Sequence, residues 1–227
     1  MRQLESIYRK LLQAYGPQGW WPVLGRDGTN PAKTGSVSGY HPQDYTFPRT
    51  AAEQFEICLG AILTQNTAWR NVEKALHNLA ARDALVPERL QLLSDQQLRQ
   101  AIRPAGYYNI KTRKLREFTR FYLTLDGDTP SRQALLSVWG IGPETADSML
   151  LYAYRKVEMV VDAYTRRILA HLSMVPPDID YDHLKAFCAG NLPENLIVYQ
   201  EFHALLVEHA KNYYRRRPYR DELLAPD

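Results

Sequence analysis

The chain is poor in cysteine, in strand-like alternation and in long apolar runs, and each shortage removes a class of protein. Two cysteines in 227 residues are too few to ligate a four-cysteine iron–sulfur cluster. Cys58 and Cys188 lie far apart among apolar neighbours. That setting suits buried core thiols rather than a disulfide, and it fits a cytoplasmic location. No stretch of the sequence reaches the roughly 18 consecutive apolar residues that a membrane span needs. At the N-terminus, Leu4, Ile7, Tyr8, Leu11 and Leu12 fall on one helical stripe, which reads as an amphipathic helix and not as a secretory signal. A large excess of one charge is missing too, since 28 Lys and Arg stand against 25 Asp and Glu. The net charge therefore hints only mildly at an anionic partner.

What is present is helical periodicity. The apolar spacing predicts helices over 3–14, 51–64, 69–81, 95–102, 110–123, 131–138, 143–154, 162–172, 181–189 and 194–214. Ser94 can cap the helix beginning at Asp95, and Pro143 occupies a first-turn position where its missing N–H costs nothing. The apolar run 157–161 is too short to seed a sheet. An all-α fold is expected, with 227 residues sufficient for one large domain or two small lobes. Residues 22–50 carry Gly, Pro, Asn, Asp and Ser without a helical period and predict a long loop, a feature that is usually functional or mobile. Near the C-terminus, Arg215, Arg216, Arg217 and Arg220 cluster among Tyr213, Tyr214 and Tyr219. Such a patch can contact phosphates with stacking faces beside them; the plain alternative is a solvated basic helix end.

The most informative stretch runs Leu135-Leu136-Ser137-Val138-Trp139-Gly140-Ile141-Gly142-Pro143-Glu144-Thr145-Ala146. One apolar helix ends, a Gly-x-Gly turn follows, and a second helix starts at once. Two glycines permit positive φ and close approach of another molecule. The unpaired N–H groups opening the second helix then form an anion site that reads no base.

These residues resemble the helix-hairpin-helix of the endonuclease III, or HhH-GPD, superfamily. Asp162 in Val160-Val161-Asp162-Ala163-Tyr164 stands where that family has its catalytic aspartate. Gly60-Ala61-Ile62-Leu63-Thr64-Gln65-Asn66-Thr67 resembles its helix end with a duplex-wedging glutamine, and 102–111 resembles its Gly-aromatic-Lys helix start. The resemblance implies a two-lobed helical DNA glycosylase fold. A central six-helix-type lobe would span about 68–172 and hold the hairpin at 131–154; a second lobe would come from 1–67 and 173–227.

Two departures point to a branch. Bifunctional members carry a hairpin lysine where this chain has Glu144, and a carboxylate cannot form an imine with a sugar. Lys111, Lys114 and Lys156 are conceivable substitutes that nothing in the sequence places in the cleft. The segment 209–219 keeps the basic, Pro-containing run of cluster-bearing relatives but has no cysteine; tyrosines and helix packing are expected to hold the tail. With Tyr15-Gly16-Pro17-Gln18-Gly19-Trp20-Trp21-Pro22, these departures resemble the iron–sulfur-free 3-methyladenine DNA glycosylases. By that resemblance Trp20, Trp21, Pro22, Phe55 and Glu144 line a base pocket. Gln65, Asn66, Gly140, Ile141, Gly142, Thr145, Arg215, Arg216 and Arg217 contact DNA.

The chemistry suits those residue types. Breaking an N-glycosidic bond develops positive charge on the sugar, which an ionised carboxylate stabilises. Asp162 at a helix start is favoured as an anion, although a simple N-cap is the plain alternative. An alkylated purine is cationic and leaves easily, so an aromatic slot matters more than acid catalysis. Trp20 and Trp21 could equally be core anchors, and Asn66 could merely end its helix. The expected partner is double-stranded DNA with a damaged base. No cofactor is expected, a monovalent cation at the hairpin stays open, and the chain is expected as a cytoplasmic, nucleoid-associated monomer. Competing readings are a glycosylase for a neutral lesion and a non-catalytic DNA-binding hairpin module.

Overall fold

A computed structural model describes residues 3–31 and 38–224. Among these residues the chain is all helical, without a strand. In order come α1 (Gln3–Tyr15), α2 (Ala51–Leu63), α3 (Trp69–Ala80), α4 (Pro87–Leu92), α5 (Asp95–Ile102) and α6 (Tyr108–Thr124). They are followed by α7 (Arg132–Ser137), α8 (Pro143–Ser148), a π-helical segment (Met149–Ala153), α9 (Ala163–His171), α10 (Tyr181–Asn191) and α11 (Leu196–Tyr213).

Two helices organise the rest because they are buried nearly all round, as a central helix must be. In α2 every residue from Phe55 to Leu63 is buried; it packs on α3, α6, α8 and the π-helical segment. In α11 burial is continuous from Tyr199 to Ala210, and its neighbours are α1, α9 and the π-helical segment. The surrounding helices are amphipathic: α3 buries Val72, Ala75, Leu76 and Leu79, one stripe at helical spacing. Starts are set by side-chain caps. Thr50 with Glu53, Ser94 with Gln97 and Asp162 with Thr165 each close a reciprocal capping box, a device whose loss typically costs about 1 kcal/mol.

Three features depart from the sequence expectation. Helix α4 was not anticipated, because only Leu90 of its six residues is buried, leaving no stripe to read. The helix expected over 143–154 is α-helical only to Ser148 and then widens into the π-helical segment, a form frequent at functional sites. Helix α9 begins at Ala163, with Asp162 outside it as the N-cap.

The region 22–50 forms no helix in its described part; residues 32–37 of that expectation lie outside the described residues. Polar groups in and just before this region still need partners, and two buried carboxylates supply some of them. Glu201 accepts from Gln18 N–H at 2.8 Å and from the Tyr45 hydroxyl at 3.0 Å. Glu56 accepts from Leu24 N–H at 2.7 Å, and burial pushes its carboxyl up to about 7. The tail is fastened likewise. Buried Asp221 accepts from the Tyr214 hydroxyl at 2.7 Å and lies 2.8 Å from His209 Nε2, whose Nδ1 meets the Tyr15 hydroxyl at 2.9 Å. Tyr214 is therefore a buried anchor and not the open stacking face anticipated for it.

Candidate active site

The buried run Met159, Val160 and Val161 leads out of the core to Asp162, which caps α9. Its Oδ1 accepts from Thr165 N–H at 2.7 Å and from Thr165 Oγ1 at 2.9 Å. Its Oδ2 lies 3.9 Å from Nε2 of His203, and the aspartate side chain is 11% exposed. One oxygen thus serves the helix while the other faces inward, beside a helix N-terminus complementary to negative charge.

His203 comes from the buried stretch of α11. Its Nδ1 lies 2.8 Å from the Tyr152 hydroxyl, which also reaches the Gln200 carbonyl at 3.1 Å. Burial lowers the imidazole pKa, and the charge of Asp162 opposes that shift. Tyr152 belongs to the π-helical segment, so the hairpin's second helical run carries it to this place. Neither residue was singled out from sequence; the only available signal was a polar side chain within each apolar helix.

Around this pair stands an aromatic wall. Trp20 meets His203 edge to face at 5.6 Å and 87° and Tyr152 at 6.3 Å. Trp21 lies behind, 5.2 Å from Tyr152 and 5.5 Å from Trp69. Trp20 is half-buried while Trp21 is buried, so Trp20 presents the accessible face and Trp21 backs it. A side chain at Gly60 would press on the Trp21 indole nitrogen at 2.9 Å, which accounts for a glycine inside α2.

Glu144 opens α8. Much of the residue is exposed, yet the protein crowding its carboxyl raises the pKa, and the charge of Asp162 adds to the rise, to about 7. Phe55 does not join this group. It is fully buried and packs on Phe118 at 6.4 Å and Tyr122 at 4.9 Å, which corrects its expected place in the pocket. Pro22 lines a separate small cavity with Val23, Leu24, Glu56 and Trp69.

At the hairpin only one glycine needs its freedom. Gly140 has φ +87°, and a Cβ there would sit 2.6 Å from Lys114 Cγ. Gly142 is extended at φ −97° as the N-cap of α8, and a Cβ there would meet nothing within 4 Å. Ile141 is buried. Gln65 is tied down: its amide donates to Thr145 Oγ1 at 2.9 Å and to Gly140 O at 3.3 Å, and its oxygen accepts from Lys114. Thr145 is buried in that contact, whereas Asn66 is exposed with φ +53°. The guanidinium of Arg113 lies 3.8 Å over the exposed Trp139 ring beside the turn. Lys111 is occupied, donating to Leu63 O, Thr67 Oγ1 and Ala105 O at 2.6–2.9 Å. Arg215, Arg216 and Arg217 are exposed just beyond the end of α11.

Among the described residues, no group of three or more His, Cys, Asp or Glu side chains could hold a metal ion. Within the same residues, no helix is long and apolar enough to cross a membrane.

Residues 59–194 match the HhH-GPD superfamily of base excision DNA repair proteins. Over 223 residues, covering 93% of this chain and 89% of the relative, the sequence is 37% identical to a candidate DNA repair glycosylase of Methanocaldococcus jannaschii. The fold is similar to that of an H. pylori 3-methyladenine DNA glycosylase bound to 1,N6-ethenoadenine, with a TM-score of 0.69 and 27% identity over 93% of this chain and 98% of that one. It also resembles endonuclease III trapped in a covalent complex with DNA, with a TM-score of 0.74 and 15% identity over 96% and 89%.

Proposed function

The chain belongs to the HhH-GPD superfamily of base excision DNA repair proteins, and on that premise we propose that it is a monofunctional DNA glycosylase that removes alkylated, positively charged purines such as 3-methyladenine from duplex DNA. The observation that carries the reading is that His203 stands between Asp162 and the Trp20 face, with Glu144 within the electrostatic reach of Asp162 and a carboxylate where a lyase needs an amine.

An alkylated purine flipped from the stack stacks on Trp20 with its charge over the indole, a contact worth up to about 2 kcal/mol when desolvated. The C1′–N bond breaks and its electron pair moves to the base, which leaves neutral. The positive charge left on the sugar is stabilised by Asp162. Water attacks C1′ and its proton passes to Asp162 or to solvent. Glu144 adds negative charge that favours a cationic base and cannot form an imine. The open space above Gly142 admits a phosphate to the α8 N–H groups, and Arg113, held over Trp139, reaches the backbone nearby. Similarity to the H. pylori 3-methyladenine DNA glycosylase supports the choice of lesion.

One observation favours a second reading. The raised carboxyl of Glu144 can stay protonated and donate a hydrogen bond to a neutral damaged base.

Release of free base from a 3-methyladenine duplex, run beside uracil, mismatched-thymine and oxidised-guanine duplexes, separates the two. Preferential release of the methylated base, with the strand intact until alkali, is expected. Preferential release of a neutral base would replace this reading with the second, and borohydride trapping on abasic DNA would overturn monofunctionality.

A further inference from the structure

A carboxylate that stabilises charge at one carbon atom has to be held still, because a misplacement of about 1 Å can cost a hundredfold in rate. Thr165 fixes only one of the two oxygens of Asp162. The other, Oδ2, faces the Nε2 edge of His203 at 3.9 Å. At that separation the two groups face each other without a hydrogen bond, and a catalytic contact that is long in the free enzyme can close as the reacting groups engage.

The imidazole is itself held from three sides. Tyr152 meets Nδ1 at 2.8 Å, the Trp20 ring stands perpendicular to it at 5.6 Å, and α11 supplies its backbone. Tyr152 is steadied in turn, because the Gln200 side chain donates to Leu151 O at 3.2 Å and locks α11 to the π-helical segment. His203 is 5% exposed, and nothing in the glycosylase chemistry above uses it.

We propose that His203 is the positioning residue for Asp162: a neutral ring with its proton on Nε2 holds Oδ2, while Tyr152 donates to Nδ1 and fixes that tautomer. The inference rests on the glycosylase reading of the cleft. The single hydroxyl proton of Tyr152 faces two partners, Nδ1 at 2.8 Å and the acceptor-only Gln200 carbonyl at 3.1 Å, and the proposed tautomer assigns it to the nearer Nδ1. A carboxylate opposite Nε2 also favours a hydrogen there over a lone pair. Neutrality matters because an imidazolium would cancel the negative charge that the sugar cation needs, whereas a neutral donor orients it. Burial lowers the pKa of the ring and so favours its neutral form, against the opposing charge of Asp162. The titratable groups that feel the charge of Asp162 are Tyr152 from the π-helical segment, Cys188 from α10 and Glu144 from α8, and Glu201 on α11 acts on Tyr152.

The test uses His203→Gln, whose amide nitrogen can replace Nε2, and His203→Phe, which keeps the volume and loses the donor. In single-turnover release of methylated base, His203→Phe should be slower by roughly ten- to hundredfold, the weight of one charge-assisted hydrogen bond. His203→Gln should recover to within a few fold, and binding to a duplex with an abasic-site analogue should be unchanged in both. The fall in rate at acid pH should move in His203→Gln, because its amide takes no second proton. Histidine ¹⁵N spectra should show the Nε2-protonated tautomer, shifting in Asp162→Asn. A His203→Phe protein as fast as wild type would overturn the proposal. So would a His203→Gln protein that folds and is as slow as His203→Phe, or an Nδ1-protonated ring in an enzyme that releases base. A wild-type protein releasing no base from any duplex would overturn the functional reading instead.

Discussion

Thr165 binds Oδ1 of Asp162 twice, through its N–H at 2.7 Å and its hydroxyl at 2.9 Å, so the oxygen that caps α9 is itself held in place by the first turn of that helix. On the proposed function, cap and reaction fall to different oxygens of one carboxylate, and they can be separated experimentally.

Asp162→Asn keeps an acceptor for the cap and removes the charge. Base release should fall by roughly 10²–10³-fold with little change in melting temperature. Thr165→Val should cost a smaller part of the rate, since it frees Oδ1 from one of its two hydrogen bonds. Single-turnover kinetics with parallel thermal melts check both; equal rates for Asp162→Asn and wild type would remove Asp162 from the chemistry.

The two hairpin glycines should respond in opposite ways to alanine. Gly140→Ala forces a side chain into positive φ and against Lys114, so it should destabilise by roughly 1 kcal/mol or more. Gly142→Ala strains nothing in the free protein and should leave the melt unchanged while weakening duplex binding. Titration at fixed salt, beside thermal melts, tests the pair.

Glu144 gives a pH signature. Its carboxyl is raised toward about 7, so it gains charge as pH rises through the range above its ordinary value. Capture of a cationic base should strengthen over that range, and Glu144→Gln should flatten the rise. For folding the sign is opposite. The native state binds this proton more tightly than the unfolded chain does, so the residue favours folding at acid pH and loses that contribution as pH rises toward 7.

Asp221 runs the other way. The imidazole of His209, the Tyr214 hydroxyl and the Leu224 N–H outweigh its burial and hold its carboxyl down at about 2. Its stabilising contribution is complete above about pH 4 and is lost as pH falls toward 2. Asp221→Ala leaves His209 and Tyr214 without their shared acceptor, at a cost of about 1–3 kcal/mol for each buried group stranded. Proteolysis at the C-terminal segment should become faster in that variant.

How much was legible in sequence depended on the kind of contact. The helical architecture was legible wherever a stripe or a capping residue announced it, as in α3 and at Ser94. Asp162, Trp20 and Glu144 could be named because each sits inside or beside a local motif. His203 could not, because its meaning lies in contacts with Asp162 and Tyr152, 41 and 51 residues away. The π-helical segment was equally hidden, since widening a ladder leaves the apolar pattern unchanged. Phe55 was misplaced because an aromatic residue in an apolar helix reads the same whether it lines a pocket or fills a core. The tail tyrosines misled for a related reason, since Tyr214 hides its ring and keeps only its hydroxyl for Asp221.

One helical run carries Gly142 at its head and Tyr152 near its tail. The span between them is ten residues, at most about 15 Å at the α-helical rise and less because its last part is π-helical. On the proposed function that length acts as a gauge: with the turn seated on a strand, the tyrosine that backs the Trp20 face stands one set interval away. A single residue added to or removed from the run would leave turn and wall each intact and put them out of phase.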